Sequence, residues 1–255
     1  MTPKAWEEQV SLITDEMNSF VGPMVTGLSR ESDKRIELVG TGTFCEVANL
    51  KTIITCEHVA RKRPLNFAIH PYEKIHRLNG PWLVKDQPLD LAIEIGGIDD
   101  GVFPQNFVNE TMIASKDHEI HVGEIMYFYG YSGQNTVFAF DVLESKATGY
   151  CLQLNNDMQK DPYSAELLFK RCQLQFSNGT QDQAKKEIRY DDPRGLSGSL
   201  VWDTQYVSSI NRKQNWSPKQ SKVIGVLKRF VPDEDILLFT PIEKVHEEFF
   251  DQIQV

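Results

Sequence analysis

The amino-acid sequence predicts an all-β protein made of antiparallel sheets, packed as a sandwich or as barrels, with one helix at each end. From about residue 35, short runs rich in Val, Ile, Phe, Tyr and Thr alternate with Gly, Asn, Asp and Pro, which is typical of short strands and turns. Little helical periodicity separates these runs, and this favours antiparallel sheets over parallel ones. The period of an amphipathic helix occurs near the two chain ends.

The first predicted element is an amphipathic helix at residues 5–20. Its apolar residues recur every three or four positions: Trp6, Val10, Ile13, Met17 and Phe20. The pair Gly22 and Pro23 predicts the end of this helix. We expect the helix to pack on the β units, and docking of a partner protein is the alternative that the sequence leaves open.

About eleven short strands are predicted after this helix, and a polar loop near residues 98–120 divides them into two β units. The strands cover residues 35–47, 52–55, 66–70, 81–84, 91–95, 124–132, 136–150, 166–177, 198–203, 222–230 and 235–240. The predicted organisation is a helical extension (1–30), a first β unit (31–115), a second β unit (116–240) and a C-terminal helix (241–255). The last helix opens with Pro241, a residue that suits a first helical turn.

Composition and charge exclude several classes of function. The chain has 255 residues and is 40 % hydrophobic and 25 % charged, as globular proteins are. Its net charge is −9 and it shows no extended basic face, so we predict no nucleic-acid partner. The N-terminal segment is acidic and lacks the apolar core of a signal peptide, and no stretch approaches roughly 18 consecutive apolar residues. We therefore predict no membrane association and a cytoplasmic location.

The cysteines are predicted to be free thiols, because no export signal indicates an oxidising compartment. They are Cys45, Cys56, Cys151 and Cys172. No CxxC pair and no HExxH motif is present, so we predict no metal site.

Three residues in separate segments are candidates for hydrolytic chemistry. His58 follows the apolar run "TIIT" and is a candidate general base. Asp90 lies between two leucines, where a carboxylate needs a partner, and could orient such a base. Ser197, in "DDPRGLSGS", is a candidate nucleophile, because Gly195 can direct its N–H and that of Ser197 toward one developing oxyanion. Each residue alone also has an ordinary structural interpretation: a core histidine, a capping aspartate and a Ser/Gly-rich turn.

The order of the segments around these candidates is more specific than any one of them. They are "GTGTFCEV…TIITCEHVA", "PLDLAIEI", "VGEIMYFYGYS", "DDPRGLSGS" and "VIGVLKRF". This order, over residues 35–245, resembles the trypsin-like serine peptidases of the chymotrypsin-fold superfamily, most closely their bacterial HtrA-like branch, here without a PDZ domain. The resemblance implies two antiparallel β-barrels with the active site in the cleft between them.

The resemblance also implies a role for each candidate. His58 would be the general base, Asp90 its orienting partner and Ser197 the nucleophile of a catalytic triad. The amides of Gly195 and Ser197 would form the oxyanion hole.

Further positions bear on specificity and activation. By resemblance, Asp191 and Asp192 lie at the floor of the primary specificity pocket, and Lys228 and Arg229 lie on the strand that lines it. Leu196 stands where zymogen-activated relatives have an aspartate that pairs with a newly cut N-terminus. Activation by such a cut is therefore not expected.

Two interpretations of function follow. The first is a regulated intracellular serine endopeptidase that cleaves protein or peptide substrates through an acyl-enzyme and needs no cofactor. The second is a latent or inactive trypsin-like scaffold, or an effector coupled to a sensor in bacterial stress or defence, that acts through protein binding. Both interpretations allow a regulatory protein partner.

Overall fold

The computed structural model describes residues 3–32, 35–69, 75–96, 106–139, 142–154, 163–168, 193–234 and 236–251; for residues 3–7, 134–139, 142–144 and 168 it describes the backbone alone. Two β-sheets and a helix near each end confirm the predicted all-β class. The pairings between described residues run as two open paths, so they do not by themselves show closed barrels. Within the same residues, no helix combines the length and the apolar character that a membrane crossing requires.

The first sheet has eight strands among the described residues. They are β1 (Val25–Ser32), β2 (Arg35–Val47), β3 (Leu50–Thr55), β4 (Asn66–Ala68), β5 (Ile75–Arg77), β6 (Trp82–Lys85), β7 (Leu91–Ile95) and β8 (Val108–Asn109). Their spatial order is β5–β4–β1–β2–β3–β7–β6, with antiparallel pairing throughout this path. Strand β8 pairs with β2 in parallel.

The second sheet has six strands in the described part of the chain. They are β9 (Met126–Ala139), β10 (Val142–Leu152), β11 (Ala165–Leu168), β12 (Leu200–Asp203), β13 (Lys222–Val231) and β14 (Ile236–Pro241). They lie in the order β10–β9–β12–β13–β14–β11, and every pair is antiparallel. The helices are α1 (Pro3–Val21), α2 (Glu57–Ala60), α3 (Tyr206–Asn211) and α4 (Ile242–Val245), and α4 continues into a π-helical turn (His246–Phe250).

Helix α1 packs on the second sheet, as we expected from its amphipathic pattern. It ends at Val21, where a 3₁₀ turn begins at the predicted Gly-Pro pair. Ile13 and Met17 are completely buried. The Tyr127 hydroxyl on β9 donates to Asn18 Oδ1 at 2.6 Å. The apolar face of the helix is therefore part of the core.

Four features differ from the sequence prediction. Strand β1 begins inside the segment predicted as a helical extension (1–30), because the chain leaves the helix at Gly22 and turns directly into the first sheet. The segment predicted as one strand at 136–150 contains the end of β9 and most of β10, which pair with each other. His58 does not end a strand, because β3 stops at Thr55 and His58 lies in α2. The strand predicted at 166–177 is described as far as Leu168, and its remainder lies outside the described residues.

Among the described residues, Cys45, Cys56 and Cys151 are buried and form no disulfide, which confirms the prediction for these three. Cys172 lies outside the described residues.

Candidate active site

His58 and Asp90 form a direct hydrogen-bonded pair. His58 Nδ1 lies 2.7 Å from Asp90 Oδ2, and the backbone N–H of His58 donates to Asp90 Oδ1 at 3.0 Å. The Asp90 side chain is buried, whereas 41 % of the His58 side chain is exposed. The carboxylate thus fixes the imidazole from the interior while the ring remains accessible from solvent.

The local backbone explains how the two side chains meet. The chain leaves β3 at Thr55 and enters α2, which carries His58 in its first turn. In the loop before β7, the N–H groups of Leu89 and Asp90 both donate to the Asp86 carbonyl at 3.1 Å. Asp90 itself has a φ of 54°, a left-handed backbone angle that is uncommon for a residue with a side chain. Such strain is often found at functional sites.

The carboxyl group of Asp90 is ionised in this pair. Burial alone would raise the pKa of its carboxyl group, but hydrogen bonds from the His58 ring and backbone, together with the charges of His58 and Lys228, outweigh burial and hold the pKa below its usual value. An ionised carboxylate can only accept hydrogen bonds, so Nδ1 of His58 carries the proton. Nε2 of the neutral ring is then the acceptor that a general base needs.

The loop that carries Ser197 packs closely on the first sheet. The backbone N–H of Thr41 in β2 donates to the Ser197 carbonyl at 2.9 Å. Gly195 and Gly198 have φ angles of 99° and 95°, and a Cβ added to them would lie 2.5 Å and 2.1 Å from backbone oxygen atoms. Both the backbone angle and the close approach require glycine, which gives a physical reason for the "GLSGS" pattern.

The Leu227 carbonyl on β13 joins the segments of the candidate base and the candidate nucleophile. It accepts the Gly198 N–H at 2.8 Å and the Cys56 thiol at 3.1 Å. Cys56 is two residues before His58, and Gly198 directly follows Ser197. The two segments therefore meet at one backbone atom of the second sheet.

Gly40 in β2 provides a second meeting point. A Cβ added to Gly40 would lie 2.6 Å from Val59 Cγ2 and 3.2 Å from the Ser197 carbonyl oxygen. Val59 directly follows His58 in α2. Helix α2 and the Ser197 loop thus both pack against Gly40 at the boundary between the two sheets.

The Ser197 hydroxyl donates to the Lys228 carbonyl oxygen at 3.2 Å. Among the described residues, no hydrogen bond joins this hydroxyl to His58. The structure therefore brings His58, Asp90 and Ser197 to one sheet boundary and shows a hydrogen bond within the His58–Asp90 pair. Contacts between a nucleophile and its base often tighten when substrate binds.

Two backbone amides beside the candidate nucleophile are available for an oxyanion. In the described part of the chain, the N–H groups of Gly195 and Ser197 have no hydrogen-bond acceptor. The Leu196 N–H between them donates to the Pro193 carbonyl at 3.1 Å, and the Leu196 side chain is completely buried. An oxyanion hole requires two such amides near a nucleophile, so these N–H groups are candidates for that role.

Thr41 organises the Ser197 loop, and sequence reasoning did not identify it. Besides the backbone bond to Ser197, its hydroxyl donates to the Gly195 carbonyl at 2.8 Å and accepts the Tyr131 N–H at 3.0 Å. Thr41 is completely buried. The signal that could have found it is its position between two glycines in "GTG", where strands can approach closely.

The residues predicted for the specificity pocket are described only in part. Asp191 and Asp192 lie outside the described residues. Arg229 is exposed on β13, whereas the Lys228 side chain is buried. The pocket assignment stays a prediction.

The chemistry of the donor atoms disfavours a metal ion at this site. Ligand atoms of Cys56, His58 and Asp90 lie within 4.8 Å of one another. Burial and the charge of Asp90 raise the pKa of the Cys56 thiol well above its ordinary value, so the sulfur stays protonated. The nearby positive charge of Lys228 also opposes a cation.

Ser199, two residues after Ser197, gives a test of packing beside the site. It is completely buried, and its hydroxyl has no hydrogen-bond partner among the described residues. An unpaired buried hydroxyl costs about 1–3 kcal/mol, so we expect Ser199→Ala to raise the free energy of unfolding by about 1 kcal/mol in a urea titration. Ser221→Ala is the control and should lower it, because that buried hydroxyl bonds to the Thr204 carbonyl. Lower stability of Ser199→Ala would contradict the expectation.

No family model and no curated protein sequence matches the chain. Its structure is similar to that of the serine endoprotease from Yersinia pestis, with a TM-score of 0.56 and 11 % identity over 94 % of this chain and 66 % of that chain. It is also similar to the active form of the Rv3671c protease from M. tuberculosis, with a TM-score of 0.55 and 12 % identity over 93 % of this chain and 84 % of that one. For human heparin binding protein the TM-score is 0.53, with 10 % identity over 91 % of this chain and 89 % of the other. These neighbours have the chymotrypsin fold, and at such identities the likeness shows the fold of the chain alone.

Proposed function

We propose that the protein is a serine endopeptidase with His58, Asp90 and Ser197 as its triad. Ser197 Oγ attacks the peptide carbonyl carbon, His58 Nε2 accepts the hydroxyl proton and gives it to the leaving amine, and water then hydrolyses the acyl-enzyme. Asp90 stays ionised and stabilises the imidazolium. The amides of Gly195 and Ser197 bind the oxyanion.

One observation carries this proposal. A buried, ionised carboxylate holds an accessible imidazole at the boundary where a Gly-rich serine loop meets the first sheet. This combination matches the needs of acyl transfer, and two of the structural neighbours are proteases by name. The proposal extends to protein or peptide substrates, an HtrA-like relationship, a cytoplasmic location and control by a protein partner, with no cofactor.

A fluorophosphonate probe tests the proposal, because it reacts with serine hydroxyl groups that a base activates. We expect the wild-type protein to be labelled and Ser197→Ala to remain unlabelled. Ser199→Ala, two residues away, is the matched control and should be labelled as wild type. A peptide library cleaved by the wild type, with Ser197→Ala as the blank, then gives the cleavage preference.

A latent scaffold is the second candidate function. The observation that favours it is the hydrogen bond that the Ser197 hydroxyl donates to the Lys228 carbonyl. A latent protein would act through binding and would leave this hydroxyl unactivated. Folded wild-type protein that the probe does not label would support the scaffold and contradict the peptidase.

A further inference from the structure

Lys228 is a buried cation that contacts both halves of the candidate site. Its ammonium donates to the Pro88 carbonyl at 2.8 Å, the Tyr163 carbonyl at 2.8 Å and Ser164 Oγ at 2.7 Å. Its own carbonyl accepts the Ser197 hydroxyl at 3.2 Å. Lysine is rarely buried without compensating partners, because removing an ammonium from water is costly. A lysine in this position therefore calls for a role beyond the pocket-lining one that the resemblance implies.

A β-bulge in β13 falls at Lys228, within a buried stretch of the strand. Leu227 pairs with Phe239 and Arg229 pairs with Leu238, so Lys228 is the extra residue of β13. In a regular strand, consecutive side chains point to opposite faces. Residues 223–228 are all buried, so both faces of β13 are covered here, and Arg229 after the bulge is the first exposed residue.

The ammonium holds the loop that carries Asp90. Pro88, its acceptor, is two residues before Asp90, and the Leu89 carbonyl between them accepts the Thr240 hydroxyl of β14 at 2.6 Å. Two side chains of the second sheet thus donate hydrogen bonds to two successive carbonyl groups of this loop, those of Pro88 and Leu89. The charge of Lys228 also favours the ionised form of Asp90, along with the bonds from His58.

We propose that Lys228 is a positioning residue, whose ammonium fixes the Asp90 loop and keeps a positive charge beside the His58–Asp90 pair. This inference rests on the proposed function, and it gives Lys228 a role other than lining the specificity pocket. A positioning residue acts through Asp90 and does not touch substrate. Its loss should therefore lower kcat and leave KM nearly unchanged, whereas loss of a pocket residue should change KM and substrate preference.

Lys228→Met tests the proposal, because methionine keeps much of the side-chain volume and removes the charge. We expect kcat to fall by about 100-fold, as small displacements of catalytic groups can cause, with KM changed by less than about threefold. In proton NMR, the His58 Nδ1–H signal, which a short bond to a carboxylate shifts downfield, should move upfield or broaden. Lys219→Met, at an exposed lysine of the second β unit, is the control and should leave both measurements at wild-type values.

The outcomes separate this proposal from the peptidase function. Folded Lys228→Met with wild-type kcat and an unchanged Nδ1–H signal would overturn the proposal, as would a change in KM alone. If the wild-type protein has no peptidase activity and the Nδ1–H signal still shifts in Lys228→Met, the positioning role is supported and the proposed function is refuted.

If Lys228→Met does not fold, Ser164→Ala replaces it, because this variant keeps the Lys228 ammonium and removes one of its acceptors. Its kcat and Nδ1–H signal should change in the same direction by a smaller amount, and wild-type values for both would overturn the proposal.

Discussion

Replacement of Asp90 by asparagine is expected to lower kcat by about 10⁴-fold, the size of effect that follows when a triad imidazole is held in the wrong tautomer. Asp90 accepts two hydrogen bonds, one from the His58 backbone N–H and one from His58 Nδ1. Asparagine offers one oxygen and one NH₂ group in the same place. The His58 backbone N–H can only donate, so the asparagine oxygen faces this N–H and the asparagine NH₂ group faces His58 Nδ1. The ring then carries its proton on Nε2, where it cannot accept the proton of Ser197.

Asp86→Asn is the matched control for this prediction. Asp86 lies in the same loop, and its side chain is 71 % exposed and pairs with Arg61. Its carbonyl, which the substitution keeps, holds the N–H groups of Leu89 and Asp90. The control should therefore retain the wild-type kcat on a peptide selected from the library. An Asp90→Asn protein with more than a tenth of the wild-type kcat would contradict the assigned role.

The same variant has an effect on stability that depends on pH. Because the pKa of Asp90 is lower in the folded protein than in the unfolded chain, its ionised form stabilises the fold. That contribution is fully present above the ordinary carboxyl range, near pH 4, and is lost as the pH falls through the folded-state pKa. The difference in unfolding free energy between wild type and Asp90→Asn should thus be largest near neutral pH and shrink in acid. A difference in unfolding free energy that grows as the pH falls would contradict this expectation.

Features encoded in short local patterns could be predicted from the sequence. The bounds of β2 and β7 agree with the prediction, because alternating apolar residues and flanking polar turns define each of them. The candidates His58, Asp90 and Ser197 were found in the same way, each from its immediate neighbours. Segment order then linked them, and the structure places all three segments at one sheet boundary.

Features that depend on pairing between distant strands could not be predicted. The bulge at Lys228 arises from the pairing of β13 with β14, and a single sequence does not show where a register shift falls. The role of Thr41 depends on contacts with a loop more than 150 residues away. Helix α2 is only four residues long, too short for helical periodicity to appear, so the sequence pattern predicts a strand that ends at His58 and no helix.

Replacement of Ile13 by alanine should lower the free energy of unfolding by about 2–5 kcal/mol, the cost of removing a large aliphatic side chain from a packed core. Ile13 is 0 % exposed, on the face of α1 that packs against the second sheet. Close contacts fix the helix on both sides of it: the Thr14 hydroxyl lies 3.2 Å from Cys151 Sγ in β10, and Tyr127 in β9 donates to Asn18. The lost contacts are therefore tertiary ones, and alanine itself favours the helix.

Leu12→Ala is the matched control, because Leu12 is the adjacent residue and is 54 % exposed. Both changes shorten a branched aliphatic side chain in the same helical turn, so any difference between them reports burial. Urea titration should place Leu12→Ala within about 0.5 kcal/mol of wild type. Equal effects of the two substitutions would mean that α1 does not form part of the core in solution. In that case the apolar face of α1 would be available to bind a partner protein, which is the alternative that the sequence left open.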